Sequence, residues 1–316
     1  MTSDTSEFHS VADAIRDGSY LQHPIDPAIL GVPGLISPQE RTLLSFLAAR
    51  CWRPGDRIVD AGCFLGSSTR ALLDGLVQNP HFARGPAPIV HSYDLFIADQ
   101  ATASTYLPGM GVEPGGSFEA LFRANVEAQR EWVAVHAGDV RTHVWSGEPI
   151  RILFLDVIWS WDINGFVMRN FYPHLCADGA FVVHQDYVYA WYPYIPISME
   201  YFGDHFEFIG YVPLATVAFR SRKPLDARDV AVDLLHDLDP ETLLLLMARA
   251  IDRFSGDLRG VLECSRASLL RYFDRTDEAR ILLTDVAARY KSSEGPARFA
   301  RDILAHIDSG APARVV

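Results

Sequence analysis

The stretch Arg57–Thr69 constrains the fold of this chain more than any other. Its first five residues follow a Pro-Gly-Asp turn and include adjacent β-branched Ile and Val, which predicts a short buried strand. Gly62 and Gly66 bracket a tight turn, and Ser67-Ser68-Thr69 then opens a predicted helix. A turn of this kind lets a ligand approach bare backbone, and its N–H groups favour an anionic group. The stretch therefore predicts an α/β sheet with a nucleotide-type site.

The spacing of this turn separates two ligand classes. Dinucleotide sites usually carry Gly-x-Gly-x-x-Gly, whereas here the pattern is Asp60-x-Gly62-x-x-x-Gly66, with Phe64 inside the turn. This spacing resembles motif I of class I S-adenosylmethionine (SAM) methyltransferases, in which the turn holds the amino-acid end of SAM. The alternative is a packed turn with no ligand.

Composition limits the partners. The chain has 316 residues, 49% of them hydrophobic and 22% charged, as in an ordinary globular protein. A net charge of −12 argues against nucleic acid or an anionic membrane as the main partner. The four cysteines are scattered, so neither a disulfide framework nor a zinc site is expected. Without a signal-like N-terminus or a long apolar run, we expect a cytoplasmic protein that acts on a small molecule.

Strand and helix patterns alternate from the first glycine turn to about residue 220. This alternation predicts an α/β fold, a Rossmann-like doubly wound, mostly parallel sheet, with a C-terminal helical appendage. The expected domains are an N-terminal helical segment over 1–45, a SAM-binding domain over 46–222 and a helical region over 225–316. The helical region needs a partner surface for its apolar residues, which leaves a homo-oligomer open.

A long Gly- and Pro-rich segment, 95–117, follows a predicted strand that ends at Asp94. Long loops in compact domains are often lids or binding loops, and we expect a lid here. A floppy insertion is the alternative.

Carboxylates recur at or near the predicted strand ends, where open α/β sheets form their binding crevice. Asp94 suits two ribose hydroxyls and Asp139 suits an adenine amino group. Negative charge also complements the sulfonium of SAM, and Phe64 or Trp159 could add a cation–π contact. The residues concerned are Asp60, Asp94, Asp139, Asp156 and Asp186.

Several short motifs, in order and spacing over about residues 33–220, resemble the macrocin O-methyltransferase family of SAM-dependent enzymes. They are Pro33–Arg41, Pro54–Ser68, Tyr93–Phe96, Leu153–Asp156, Tyr172–Leu175, Asp178-Gly179 and Gln185–Tyr187. The resemblance implies a class I methyltransferase fold, with transfer to hydroxyls of sugars or natural products.

The resemblance also implies a divalent cation, often Mg²⁺, at Asp156, Gln185 and Asp186. This chain departs from the family there, because Gln185 stands where an acid belongs and Ile158 stands where the proposed base belongs. A Gln carbonyl brings no charge, so Mg²⁺ affinity should fall. In a metal-free reaction His184 is the best-placed base, although it could instead be structural.

Three functions remain in competition. The first is a SAM-dependent O-methyltransferase, with Asp156, His184 and Asp186 catalytic. The second is a nicotinamide-dependent oxidoreductase, and the third is a non-catalytic relic that serves assembly. An aromatic run, 187–194, could form an acceptor wall or simply pack as a buried loop. The predicted cofactor-binding residues are Asp60, Gly62, Phe64, Gly66, Ser67, Ser68, Asp94, Asp139, Val140 and Asp156.

Overall fold

The computed structural model describes residues 4–85 and 87–312, and these form two compact units. The sheet unit comprises Met1–Val157, His174–Gln185 and Glu207–Pro224, and the helical unit comprises Ile158–Pro173, Asp186–Phe206 and Leu225–Val316. The chain therefore passes between the units several times, whereas the sequence suggested three consecutive segments.

The sheet has seven strands in the order β3-β2-β1-β4-β5-β7-β6. Strands β1 to β5 pair in parallel with one another, and β7 runs antiparallel to β5. This confirms the predicted doubly wound, mostly parallel α/β sheet. The strand bounds are β1 Arg57–Ala61, β2 Val90–Asp94, β3 Val133–Ala137, β4 Ile150–Leu155, β5 Phe181–His184, β6 Phe206–Val212 and β7 Thr216–Ser221.

Two helices of the sheet unit begin at side-chain caps, α2 at Asp26 and α3 at Ser37. Ser37 and Glu40 form a reciprocal capping box at the start of α3. Helices α3 and α4 cross closely, since a Cβ on Gly75 would lie 1.9 Å from the carbonyl oxygen of Ser45. The bounds are α1 Asp4–Arg16, α2 Pro27–Leu30, α3 Pro38–Cys51, α4 Ser67–Gln78 and α5 Glu119–Val126.

The helical unit confirms the helices expected beyond residue 225 and adds one that the sequence reasoning missed, α7. An ion pair between Arg253 and the buried Glu200 joins α9 to α7, and Ser268 of α10 donates a hydrogen bond to the Ala190 carbonyl. The bounds are α6 Trp161–Phe171, α7 Tyr194–Tyr201, α8 Leu234–Asp237, α9 Pro240–Asp252, α10 Gly256–Tyr272, α11 Thr276–Arg289 and α12 Glu294–Asp308.

All four cysteines are buried, and none of them forms a disulfide within the described residues. Within residues 4–85 and 87–312, no helix combines the length and the apolar character that a membrane crossing requires.

Candidate functional site

The turn after β1 is shaped by two glycines with left-handed backbone. Gly62 has φ 97°, and its N–H and that of Cys63 both donate to the Tyr93 carbonyl, at 2.8 and 3.1 Å. A Cβ on Gly62 would lie 2.2 Å from the carbonyl oxygen of Asp156, so no side chain fits there. Gly66, with φ 93°, is the N-cap of α4. The turn thus brings bare backbone and the first N–H groups of α4 to the carboxyl end of the sheet.

The Asp94 carboxylate links this turn to the loop that follows β2. Its Oδ2 accepts a hydrogen bond from the Phe64 N–H at 2.9 Å, and its Oδ1 accepts one from the Phe96 N–H at 2.7 Å. Burial raises the pKa of Asp94, and the two backbone hydrogen bonds partly offset that rise. Each carboxylate oxygen keeps a second lone pair, so Asp94 can still accept from two ligand hydroxyls.

Phe64 and Phe96 both hold strained backbone, with φ 45° and 54°. Left-handed conformations of bulky residues are costly and cluster at functional sites. Here each one aims an N–H at the same carboxylate. The strain therefore serves the placement of Asp94.

Asp60 lies inside the sheet rather than at its surface. Its Oδ2 accepts hydrogen bonds from Ser68 Oγ, at 3.0 Å, and from Thr69 Oγ1, while its buried Oδ1 has no partner among the described residues. Burial raises the pKa of Asp60 to about 7. The arrangement ties β1 to the first turn of α4, and it already engages the Ser68 hydroxyl.

An N-terminal strap, residues 31–36, crosses the start of α4. A Cβ on Gly34 would lie 1.9 Å from Ser67 Oγ, so the strap touches the turn that the sequence assigned to the cofactor. The buried guanidinium of Arg41 fixes the strap's start by donating to three carbonyls at 2.8–3.0 Å, those of Ile29, Leu30 and Val32. The sequence analysis missed both Gly34 and Arg41. The only signal was their place in the Pro33–Arg41 motif.

The turn after β3 carries Asp139 and Val140. The Asp139 carboxylate accepts from the Arg141 N–H at 2.9 Å and forms an ion pair with the Arg141 guanidinium at 2.6 Å. These hydrogen bonds lower the pKa of Asp139. Val140 is buried.

The carboxyl ends of β4 and β5, on the other side of β1 from β2, present a different set of groups. Asp156 is half-buried, and its N–H donates to the Ala61 carbonyl at 2.7 Å. Gln185 donates its N–H to the Leu155 carbonyl, and its buried Oε1 accepts no hydrogen bond within the described chain. Apart from Asp156, this side therefore offers neutral oxygen rather than charge.

His184 is fully buried because β5 is paired on both sides at that residue. It lies opposite Leu155 of β4 and Val217 of β7. Burial lowers the pKa of the imidazole to about 3, so the ring is neutral throughout the physiological range. These properties favour a packing role, and the assignment of His184 as a base stays a prediction.

In the helical unit, Asp186 is half-buried and has φ 60°, a further strained residue just beyond a strand. Ile158, which stands where the family's proposed base belongs, is buried. The aromatic run divides: Tyr187 and Tyr194 are buried, with Tyr194 packed edge-on against Trp161 at 5.6 Å, while Tyr189, Trp191 and Tyr192 are half-buried.

The donor groups do not fit a resident Mg²⁺. Over residues 4–85 and 87–312, no group of three or more His, Cys, Asp or Glu side chains is placed to hold a metal ion. Of the three predicted ligands, Gln185 is neutral, which should weaken the binding of a divalent cation. The structure thus gathers Gly62, Phe64, Gly66, Ser67 and Asp94, and its described residues include no such cluster of metal-binding side chains.

No protein-family model and no curated protein matches the sequence. Among solved structures, the chain is similar to one described as the pyocyanin biosynthetic protein PhzM, with 16% identity over 69% of each chain and a TM-score of 0.36. A likeness of that extent carries no argument about activity. The fold assignment rests on the strand order described above.

Proposed function

We propose that this protein is a SAM-dependent methyltransferase that methylates a hydroxyl of a sugar-like or natural-product-like small molecule. The observation that carries the proposal is the Asp94 carboxylate, held by the N–H groups of Phe64 and Phe96 beside a glycine turn at the carboxyl end of β1. A carboxylate there suits two ribose hydroxyls, and the glycine turn suits the amino-acid end of SAM. The motif resemblance supports the same cofactor.

Further residues would complete the cofactor site. The first turn of α4 offers N–H groups to the carboxylate of SAM, and the strap at Gly34 limits the space beside Ser67. Asp139 keeps lone pairs for an adenine amino group, although Arg141 already uses part of its carboxylate. The backbone of Val140 would border the base.

A nicotinamide-dependent oxidoreductase is less well supported. The turn lacks Gly-x-Gly-x-x-Gly, and dinucleotide-binding sheets commonly have the strand order 3-2-1-4-5-6. Here an antiparallel β7 separates β5 from β6. The glycine turn and the ribose carboxylate are therefore better suited to a mononucleoside such as SAM.

SAM, when bound, supplies an electrophilic methyl group. The protein has to place the acceptor hydroxyl in line with that methyl and remove its proton. Within the sheet unit, we assign the proton to the half-buried Asp156 in preference to the fully buried His184. Transfer without Mg²⁺ is expected, since the donor set does not fit the cation.

Calorimetry with SAM and with NAD tests the proposal. The intact protein should bind SAM and not NAD. Asp94→Ala should weaken SAM binding by about 1.5–3 kcal/mol, on the order of 10- to 150-fold, because two charge-assisted hydrogen bonds are lost. Asp99→Ala is the matched control, since Asp99 also accepts a backbone N–H, from Thr102, but lies farther along the loop.

Unchanged SAM affinity in a folded Asp94→Ala protein would remove Asp94 from the ribose site. Binding of NAD alone would point to the oxidoreductase. Binding of neither cofactor would favour the third hypothesis, a non-catalytic protein that serves assembly.

A further inference from the structure

We propose that the loop between β2 and α5 forms the pocket for the methyl acceptor, and that this acceptor is a neutral or cationic small molecule that carries both apolar and hydrogen-bonding groups. This inference rests on the proposed function. The pocket lies within 100–114, the central part of the loop, and nothing in the sequence motifs accounts for it.

The loop is a closed structure and not a floppy insertion. An antiparallel bridge joins Ile97 to Ser117 at its neck. Next to the bridge, the Ala98 N–H donates to the Gly116 carbonyl at 3.0 Å, and the Gly115 N–H donates to the Ala98 carbonyl at 2.7 Å. The neck fixes both ends of the loop, so the residues between them form a defined enclosure.

The neck is also fixed to the proposed cofactor turn. The Phe118 ring packs edge-on against Phe96 at 5.6 Å and against Phe64 at 5.2 Å, and Phe96 packs on Phe122 of α5 at 5.2 Å. Asp94 accepts N–H groups from Phe64 and Phe96, one on each side of this cluster. The neck of the loop and the proposed cofactor turn therefore share one aromatic cluster.

Inside the loop is a cavity of about 420 Å³. This lies within the range of about 300–1,000 Å³ that is usual for small-molecule sites. The walls are about equally polar and apolar: Leu107 and Ala103 are buried apolar residues of the lining, and Gln100 and Ser104 add groups that can hydrogen-bond to hydroxyls. Such a lining suits a cyclic, hydroxylated molecule.

The charged residues of the loop indicate which ligand charge the pocket would accept. Residues 95–117 contain two acids, Asp99 and Glu113, and no Lys, Arg or His. Glu113 lines the cavity itself. The pocket should therefore disfavour anions and accept neutral or cationic molecules.

The test uses the neutral dye Nile red and the anionic dye anilinonaphthalene sulfonate with the full-length protein. Nile red should bind with a blue-shifted emission, and Ser104→Trp, which fills the cavity, should weaken that binding at least about tenfold. Thr105→Trp is the matched control, because Thr105 is exposed in the same helical turn but does not line the cavity. Val112→Trp fills the cavity from another wall and should repeat the result.

Glu113→Lys should raise the affinity for the anionic dye, relative to Nile red, about threefold. Glu131→Lys, an exposed reversal outside the loop, should leave that ratio unchanged. No Nile red binding by the wild type, or equal binding by Ser104→Trp and Thr105→Trp, would overturn the pocket.

SAM calorimetry separates this inference from the proposed function. Ser104→Trp should keep wild-type SAM affinity, and a loss of SAM binding would assign the cavity to the cofactor and overturn its acceptor role. If the wild type fails to bind SAM while Nile red binding remains sensitive to Ser104→Trp, the proposed function fails and the pocket stands without an acceptor role.

Discussion

Asp94 and His184 both end a strand of the same sheet, yet their surroundings are opposite. Asp94 is half-buried and accepts two backbone N–H groups from turns that leave the sheet. His184 is fully buried and lies between two paired strands. Asp94 is open to a ligand because one neighbouring strand, β1, has already turned away, although Asp94 still pairs with Ala137 of β3.

The difference follows from the strand order. Beside Asp94, β1 has already turned at Gly62, which leaves room for the turn that donates the Phe64 N–H. Beside His184, the antiparallel β7 continues the pairing. Chemistry is therefore expected at the β1–β2 end, and packing at His184.

The largest expected effect comes from placing a side chain in the glycine turn after β1. Such a change would remove the difference between the surroundings of Asp94 and those of His184. Gly62→Ala introduces a Cβ 2.2 Å from the Asp156 carbonyl oxygen at a residue with φ 97°. We expect a loss of about 3 kcal/mol or more in the free energy of unfolding, together with loss of SAM binding. Urea denaturation and calorimetry would measure the two effects.

Gly55→Ala is the control for the cost of a side chain at a residue with positive φ. Gly55 has φ 99°, but a Cβ there would meet nothing within 4 Å. It should cost only about 1 kcal/mol and leave SAM affinity unchanged. Equal costs for the two variants would show that the turn is not close-packed against β4.

The next largest effect concerns the buried His184 and the pH dependence of stability. His184 has a folded-state pKa of about 3 against 6.5 in its ordinary state, so the unfolded chain binds the proton more readily. The stability that His184 contributes is full above pH 6.5 and is lost as the pH falls toward 3. Between pH 7 and pH 5, this group alone should account for a loss of about 2 kcal/mol, which His184→Gln would abolish.

Urea denaturation at pH 7 and pH 5 measures that difference. His81→Gln, at an exposed position, is the control and should retain the wild-type loss. If His184→Gln also retains the full loss, the ring is open to solvent in the native protein and its assignment as a base regains support.

The smallest effect concerns the strap beside the turn. Gly34→Ala would place a Cβ against Ser67, and we expect about 1–2 kcal/mol of destabilisation with weaker SAM binding. Ser67→Gly should restore much of the loss in the double variant, because the two side chains share one space. Gly31→Ala, whose Cβ would have an ordinary contact at 3.4 Å, should be nearly neutral. Additive effects of Gly34→Ala and Ser67→Gly would separate the strap from the turn.

Much of the sheet could be predicted because its strands carry local signals. The β-branched pair before Gly62 acts within a few residues, and the structure confirms the strand that it predicts. Helix α7 was missed because its sequence is aromatic and Pro-interrupted, and its helical pattern emerges only with the contacts of the helical unit.

The site was less predictable, because exposure depends on distant neighbours. No local pattern reveals that Asp60 bonds to Ser68 and Thr69, or that β7 covers one side of His184. The approach of Gly34 to Ser67 joins residues far apart in the chain. Spacing identified the glycine turn, while the partners of each polar group required the fold.

The placement of β7 also bears on how the nascent chain matures. Strand β5 is complete at His184, but its second neighbour, Thr216–Ser221, is synthesised only later. At about 5–20 residues per second, the ribosome leaves that edge unpaired for a few seconds. During this interval the edge is a template for pairing with other chains. A polypeptide truncated before Thr216 should thus be prone to aggregate, and complete sheet formation must await the synthesis of β7.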